Sequence, residues 1–400
     1  MGVRMIPKEN AIRGFKASAV AAGLKKDKSL DLALIFSEKE SAAAGVFTNN
    51  KVKAAPVIIS REHIMNGKAR AIVANAGNAN ACNGKTGLDD ARRTAELLAE
   101  PLGIHADEVL VASTGVIGKP MDMKVVSQAV PGLVEELSPE GMTLVARAIM
   151  TTDSFPKISH FEGRAGGQPY RILGISKGAG MIMPDMATML SFILTDICVD
   201  APYLKEALLS SVERTFNRIS VDGDTSTNDM VLVMANGTAG NGTLSEADEK
   251  DFEQGLEAVM GELARMMVKD GEGATKLIPI EIKGAFSSSD AIKAARAVAN
   301  SCLVKTAFYG EDPNWGRIMA ALGRADIVMK EESVDIWVDE VQIVERGVGK
   351  GVEAEERAAE RMAREEFVLT IDLHQGGFRD RIITCDLSHE YITINADYRT

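Results

Sequence analysis

The stretch of this sequence best suited to chemistry runs from Lys177 to Leu190, KGAGMIMPDMATML. The lysine is followed by Gly178, Ala179 and Gly180, small residues over which a ligand or another chain can approach the backbone closely. Pro184 and Asp185 favour a turn, and Ala187-Thr188 stand at the mouth of an apolar run, TMLSFILTDICV (188–199). A threonine hydroxyl on such a turn can reach the carbonyl before it, and the methyl of Ala187 does not obstruct the attack. Cleavage there would leave Thr188 with a free α-amine beside its own hydroxyl. An α-amine titrates at about 7.7–8.0 and can serve as a general base near neutral pH. Taken alone the pair is a weak signal, because most threonines at strand starts are structural. The phosphate-loop pattern GxxxxGKS/T is absent, so the glycines beside Lys177 are not read as a nucleotide cradle. By their types alone, Ser113-Thr114-Gly115 read as a strand-ending turn and Glu272 as a solvated loop carboxylate. Asn75, Asn78, Asn80 and Asn83, and likewise Asn228 and Asp229, read as turn clusters.

These residues need elements to hold them. Short apolar runs at 31–36, 70–75, 108–113, 170–176 and 229–236 predict strands. Residues 188–199 predict a strand buried on both faces. Residues 89–103 predict a helix between two strands. Asp200 offers an N-cap and Pro202 a first turn for a helix running to about Phe216. Ser245 and Asp248 have capping-box spacing before a helix whose Phe252, Leu256, Val259, Leu263 and Met267 recur at helical steps and predict a core stripe. In the last quarter a charged helix (351–366) precedes expected strands at 367–373, 381–387 and 391–395. The alternation predicts a layered α/β architecture with a smaller C-terminal α/β lobe over roughly 280–400.

Composition sets outer bounds. Four hundred residues with 46% hydrophobic and 26% charged side chains suit a globular chain with a sizeable core. A net charge of −12, without dense basic runs, argues against nucleic-acid and membrane-surface partners. Cys82, Cys198, Cys302 and Cys385 lie far apart, so no zinc site or disulfide framework is expected. Cys198 and Cys385 lie in apolar runs and are expected in the core. The N-terminus lacks the apolar core of a secretory signal, and no run reaches membrane-spanning length, so a reducing cytoplasm is the expected compartment.

The segment KGAGMIMPDMATMLSFILTD resembles the cleavage motif of the ornithine acetyltransferases, the glutamate N-acetyltransferase family of arginine biosynthesis. GVFTNN (45–50), ANAGNANACNG (74–84), STGVIG (113–118), TTDSFPK (151–157), VDGDTSTND (221–229), DGEGATK (270–276), VKTAFYGEDPNWGR (304–317) and INADYRT (394–400) match the same family in its order over nearly the whole chain. The resemblance implies a layered α-β-β-α-type sandwich like that of the ornithine acetyltransferases and related N-terminal-nucleophile enzymes. It implies self-cleavage between Ala187 and Thr188, into an α chain (1–187) and a β chain (188–400) assembled as an α2β2 heterotetramer. Thr188 is then the nucleophile that carries acetyl from N-acetylornithine to glutamate, releasing ornithine and N-acetylglutamate. Thr114 and Gly115 are implied as the oxyanion hole. Thr152 (with Thr151 as the alternative), Lys177, Thr188, Glu272, Asn395 and Thr400 are implied as substrate contacts. No cofactor or metal is expected; acetyl-CoA enters as a second donor in some family members. A related amidase or aminopeptidase that passes the acyl group to water is the competing expectation.

Overall fold

The computed structural model describes residues 11–183 and 189–397. Ala187, Thr188 and Thr400 lie outside the described residues. The chain builds two mixed sheets. The first holds β1 (Phe15–Val20), β2 (Leu32–Phe47), β3 (Lys68–Asn75), β4 (Val109–Ser113), β5 (Lys157–Ala165), β6 (Gln168–Lys177), β7 (Leu190–Thr195) and β9 (Met230–Ala235). Its order is β4-β3-β2-β9-β7-β6-β5, with β1 on β2. The second holds β8 (Ile219–Ser220), β10 (Leu277–Ala285), β11 (Asp335–Val338), β12 (Val341–Glu345), β13 (Val348–Gly349), β14 (Leu369–Asp372) and β15 (Phe378–Cys385), in the order β13-β12-β11-β14-β10-β15-β8.

Helices cover both. They are α1 (Ala55–His63), α2 (Gly84–Leu102), α3 (Met123–Glu135), α4 (Met142–Ala148), α5 (Ala201–Arg214), α6 (Glu246–Lys269), α7 (Ser288–Ala299), α8 (Cys302–Tyr309), α9 (Trp315–Gly323), α10 (Val352–Met362) and α11 (His389–Asp397). The result is a layered α/β sandwich. β7 and β9 are buried at every position because both of their faces are covered. Phe192, Leu194, Leu232 and Met234 pack toward β1 and α4, while Ile193, Val231 and Val233 pack toward α5 and α6. The α6 stripe Phe252, Leu256, Val259, Leu263 and Met267 is core, shared with Leu277 and Cys385 of the second sheet. Both expected caps form: Asp200 accepts from the Tyr203 amide at 2.8 Å, and Ser245 and Asp248 close a capping box on α6.

The departures have physical causes. The strand at 31–36 continues to Phe47, because the polar SEKE segment lies where β2 shifts register from β3 and β1 toward β9. The run 188–199 yields a described strand of only six residues, Leu190–Thr195. Residues 391–395 are helical, in α11, and not a strand. β15 already lies between β10 and β8, so the segment after it meets no open edge, and a helix satisfies its backbone internally. Cys385 is buried as expected, but Cys198 is exposed, since it follows the end of β7 where the chain leaves the core.

Candidate active site

A cavity of about 270 Å³ opens where the C-terminal ends of β4 and β6 meet the loops before β7 and β9. Thr114, Gly115, Thr151, Thr152, Lys177, Glu272 and Asn395 all line it. Met189, the residue bonded to Thr188, lines it too. The residues named from the sequence and described here therefore converge on one space, although they come from five separate segments.

Thr114 and Gly115 follow β4. The Thr114 amide donates to the Asn75 carbonyl at 2.9 Å, which pins the turn to the end of β3. Gly115 has φ +127°, and a Cβ there would lie 2.5 Å from the Gly77 carbonyl carbon and 2.6 Å from the Asn78 nitrogen. Only glycine fits this backbone-on-backbone contact. The Gly115 amide has no hydrogen-bond partner among the described residues. An N–H held in a rigid turn at a cavity wall, beside the Thr114 hydroxyl, is the donor arrangement an oxyanion needs.

The asparagine-rich loop is the scaffold of that turn. Asn75 donates to the Asn78 carbonyl at 2.8 Å and accepts from the Ser113 hydroxyl at 2.5 Å. Asn78 donates to the Lys119 and Pro120 carbonyls. Asn228 reaches across from the β9 loop and donates to the Ala79 and Ser113 carbonyls at 2.6 and 2.8 Å. Asn228 is thus a tie between segments and not simply a turn residue.

Lys177 ends β6 with its amine nearly buried. It donates to the Thr151 hydroxyl at 2.8 Å and the Thr114 hydroxyl at 3.3 Å, and it lies 3.9 Å from Asp153. Desolvation pulls its pKa below the ordinary lysine value, and Asp153 opposes this. Both threonines of the TTD run line the cavity, but Thr151 is the one bonded to Lys177. Behind Lys177 lies a charged relay that sequence reasoning missed. Lys157, with no exposed surface, bridges Asp153 at 2.7 Å and Asp270 at 2.5 Å. Asp153 also accepts from the Thr151 and Gly178 amides. Burial alone would raise the Asp153 carboxyl, but Lys177 and Lys157 outweigh it and hold the group at about 2. The available signal was the pair of charges in TTDSFPK, four residues apart.

Glu272 faces the cavity from the loop after α6. Asn395 of α11 donates to it at 2.7 Å, and a Cβ on Gly180 would overlap its carboxylate, so the glycine after Ala179 leaves room for the acid. Asp222 and Tyr391, not singled out from the sequence, complete this wall. Asp222 accepts from the Met181 and Ile182 amides at 2.6 and 2.8 Å, and burial pushes its carboxyl up. Among the described residues the cavity lining carries one cation, Lys177, and four carboxyl groups, Asp222, Asp224, Asp229 and Glu272. Among the described residues no cluster of histidine, cysteine and acidic side chains could hold a metal ion.

The ArgJ family model matches residues 16–400. The chain belongs to the ArgJ family. An arginine biosynthesis bifunctional protein ArgJ from Geobacter sulfurreducens is 51% identical over 391 residues, spanning 97% of this chain and all of the relative. A glutamate N-acetyltransferase from Methanocaldococcus jannaschii is 48% identical over 402 residues, covering 98% of each chain. A crystal structure of an ArgJ bifunctional protein from Bacillus halodurans is 41% identical with a TM-score of 0.50, matched over all of that chain and 53% of this one. As an ArgJ-family chain, it has no described helix long and apolar enough to cross a membrane.

Proposed function

We propose that this chain cleaves itself before Thr188 and then transfers acetyl from N2-acetyl-L-ornithine to L-glutamate. One observation carries the reading. The oxyanion-type turn Thr114–Gly115, the buried cation Lys177, the acid Glu272 and the residue next to Thr188 share a single cavity. The Thr188 oxygen attacks the acetyl carbonyl, its proton passing to the Thr188 α-amine. The charge that develops on the carbonyl oxygen falls to Thr114 and Gly115. The amide C–N bond breaks as that proton moves to the departing ornithine nitrogen, leaving an acetyl ester on Thr188. The amine of glutamate attacks the ester, giving N-acetylglutamate and restoring the hydroxyl. Lys177 suits the substrate carboxylate and Glu272, steadied by Asn395, the ornithine side-chain ammonium. Thr152 and Thr400 are proposed as further contacts.

The transfer needs no cofactor or metal, and acetyl-CoA is proposed as a second donor because relatives are named bifunctional. The cleaved chains are proposed to pair as an α2β2 heterotetramer in the cytoplasm. Cleavage draws support from the Bacillus halodurans chain, whose 53% span is close to the share that residues 188–400 make up of this sequence. Denaturing mass spectrometry should find two polypeptides, the second beginning at Thr188, and acetylornithine with glutamate should exchange acetyl much faster than acetylornithine hydrolyses. A single intact chain would refute self-cleavage, and hydrolysis outpacing exchange would favour the amidase reading.

A further inference from the structure

Asp229 lines the same cavity and has no part in the roles above. It directly precedes β9 and is held in place by its backbone, whose carbonyl accepts from the Thr48 amide at 3.0 Å. Its side chain is buried. Met189 is held beside it by the Met230 amide, which donates to the Met189 carbonyl at 2.9 Å. Ser226 and the Met189 amide favour the charged form of the carboxyl, while Oδ2, fully enclosed, has no partner among the described residues. The nearby cation does not fill that gap: the Lys177 amine donates to Thr151 and Thr114 and lies 3.9 Å from Asp153. Oδ2 is thus bare on the side that faces the described residues. A charged carboxylate would leave half its charge unsolvated, whereas a proton on Oδ2 turns the bare acceptor into a donor. Burial accordingly raises this group well above the ordinary carboxyl range, against the pull of Ser226 and Lys177. The Met189 amide belongs to the peptide bond that joins Met189 to Thr188. Whatever holds that amide holds the chain directly after the nucleophile.

We propose that Asp229 is a positioning residue for Thr188 that works as an uncharged acid, with Oδ1 accepting from the Met189 amide and the proton carried on Oδ2. The inference rests on the acetyl-transfer reading and adds a residue to it. An uncharged acid and an asparagine amide present the same pattern, one acceptor and one donor, whereas a carboxylate and an asparagine do not.

The test compares Asp229→Asn and Asp229→Ala in the full chain, with circular dichroism as the check on folding. Activity is taken per cleaved chain, so that slow self-cleavage is not mistaken for slow transfer. Asp229→Ala should lower kcat about 100-fold, the cost of a misplaced nucleophile, while KM for acetylornithine moves less than about threefold. Asp229→Asn should recover about tenfold or more of that loss. Denaturing mass spectrometry should show the same order for cleavage before Thr188, slow in the alanine variant and faster in the asparagine variant. A folded Asp229→Asn protein as slow as Asp229→Ala would mean the group works as a carboxylate and would overturn the proposal. So would an effect confined to KM, or none at all. Should the alanine variant not fold, a 100-fold loss in folded Asp229→Asn alone overturns it. A wild-type chain that cleaves but transfers no acetyl would refute the acetyltransferase reading instead, and the cleavage order of the variants then decides for or against Asp229.

Discussion

Lys177 and Lys157 are two cations in a nearly dry interior, and Asp153 makes both tolerable. Its oxygens take Lys157 at 2.7 Å and the amides of Gly178 and Thr151 at 2.7 and 3.0 Å, so the carboxylate is satisfied only while charged. The folded-state value of about 2 lies below the ordinary 3.8. A depressed carboxyl contributes stability above the unfolded value, and that stability fades as pH falls through the folded one. The contribution is on the order of 2–3 kcal/mol at neutral pH. Asp153→Asn should therefore lower unfolding free energy by about 3–5 kcal/mol at pH 7, since it also takes a counter-charge from two buried lysines, of which Lys157 keeps Asp270. The gap to wild type should narrow as pH falls from about 4 to about 2. Urea titrations at pH 7, 4 and 3 would check this, and a gap independent of pH would show that Asp153 is not the group lost in acid.

At the level of elements, the C-terminal helix illustrates what the sequence could and could not reveal. None of the residues of α11 is buried. Its purchase on the body is mostly polar: Ser388, just before it, donates to the Gly273 carbonyl at 2.6 Å, Tyr391 to Asp222 at 3.4 Å and Asn395 to Glu272 at 2.7 Å, with one edge-on ring contact of His389 with Tyr309. Removing residues 389–400 should hardly move the urea midpoint, yet it should raise KM for acetylornithine roughly tenfold, the worth of one hydrogen bond to a charged group. A midpoint that falls steeply would show the helix to be structural support instead. Within this segment Asn395 was legible because INADYRT is a motif, while its helical state was not, because YITIN is rich in residues that favour strands. Local propensity said strand, and the lack of an open edge beside β15 said helix. The caps at Asp200 and Ser245 and the α6 stripe were legible because each depends on near neighbours in sequence. The Lys157–Asp270 and Asn228–Ser113 bonds were not, because they join residues more than a hundred positions apart. Asp229 looked like a turn residue until β7, β9 and the Ser226 loop were seen to close over it.

Across the whole molecule, the proposed cut falls inside a sheet and not between domains. β2, β5 and β6 precede Thr188, while β7 and β9 follow it, and the order β2-β9-β7-β6-β5 places the later pair between earlier strands. The seams are long: β2 meets β9 over six residue pairs, Ala42↔Ala235 to Phe47↔Met230, and β6 meets β7 over six more. Phe192 and Leu232 of the later strands also bury against Phe15 and Met142 of the earlier part. Breaking one peptide bond removes none of these contacts. Separating the pieces would open two sheet edges at once and expose a shared core, so neither piece has a complete fold of its own. The two polypeptides should therefore co-elute under native conditions and part only in denaturant. Light scattering should return about twice the 42.8 kDa of the chain if the pieces pair as α2β2. Segments 1–187 and 188–400 made from separate genes should be soluble only when made together. Recovery of either segment alone as a folded, soluble protein would mean that the interleaved sheet is not what holds the cleaved enzyme together.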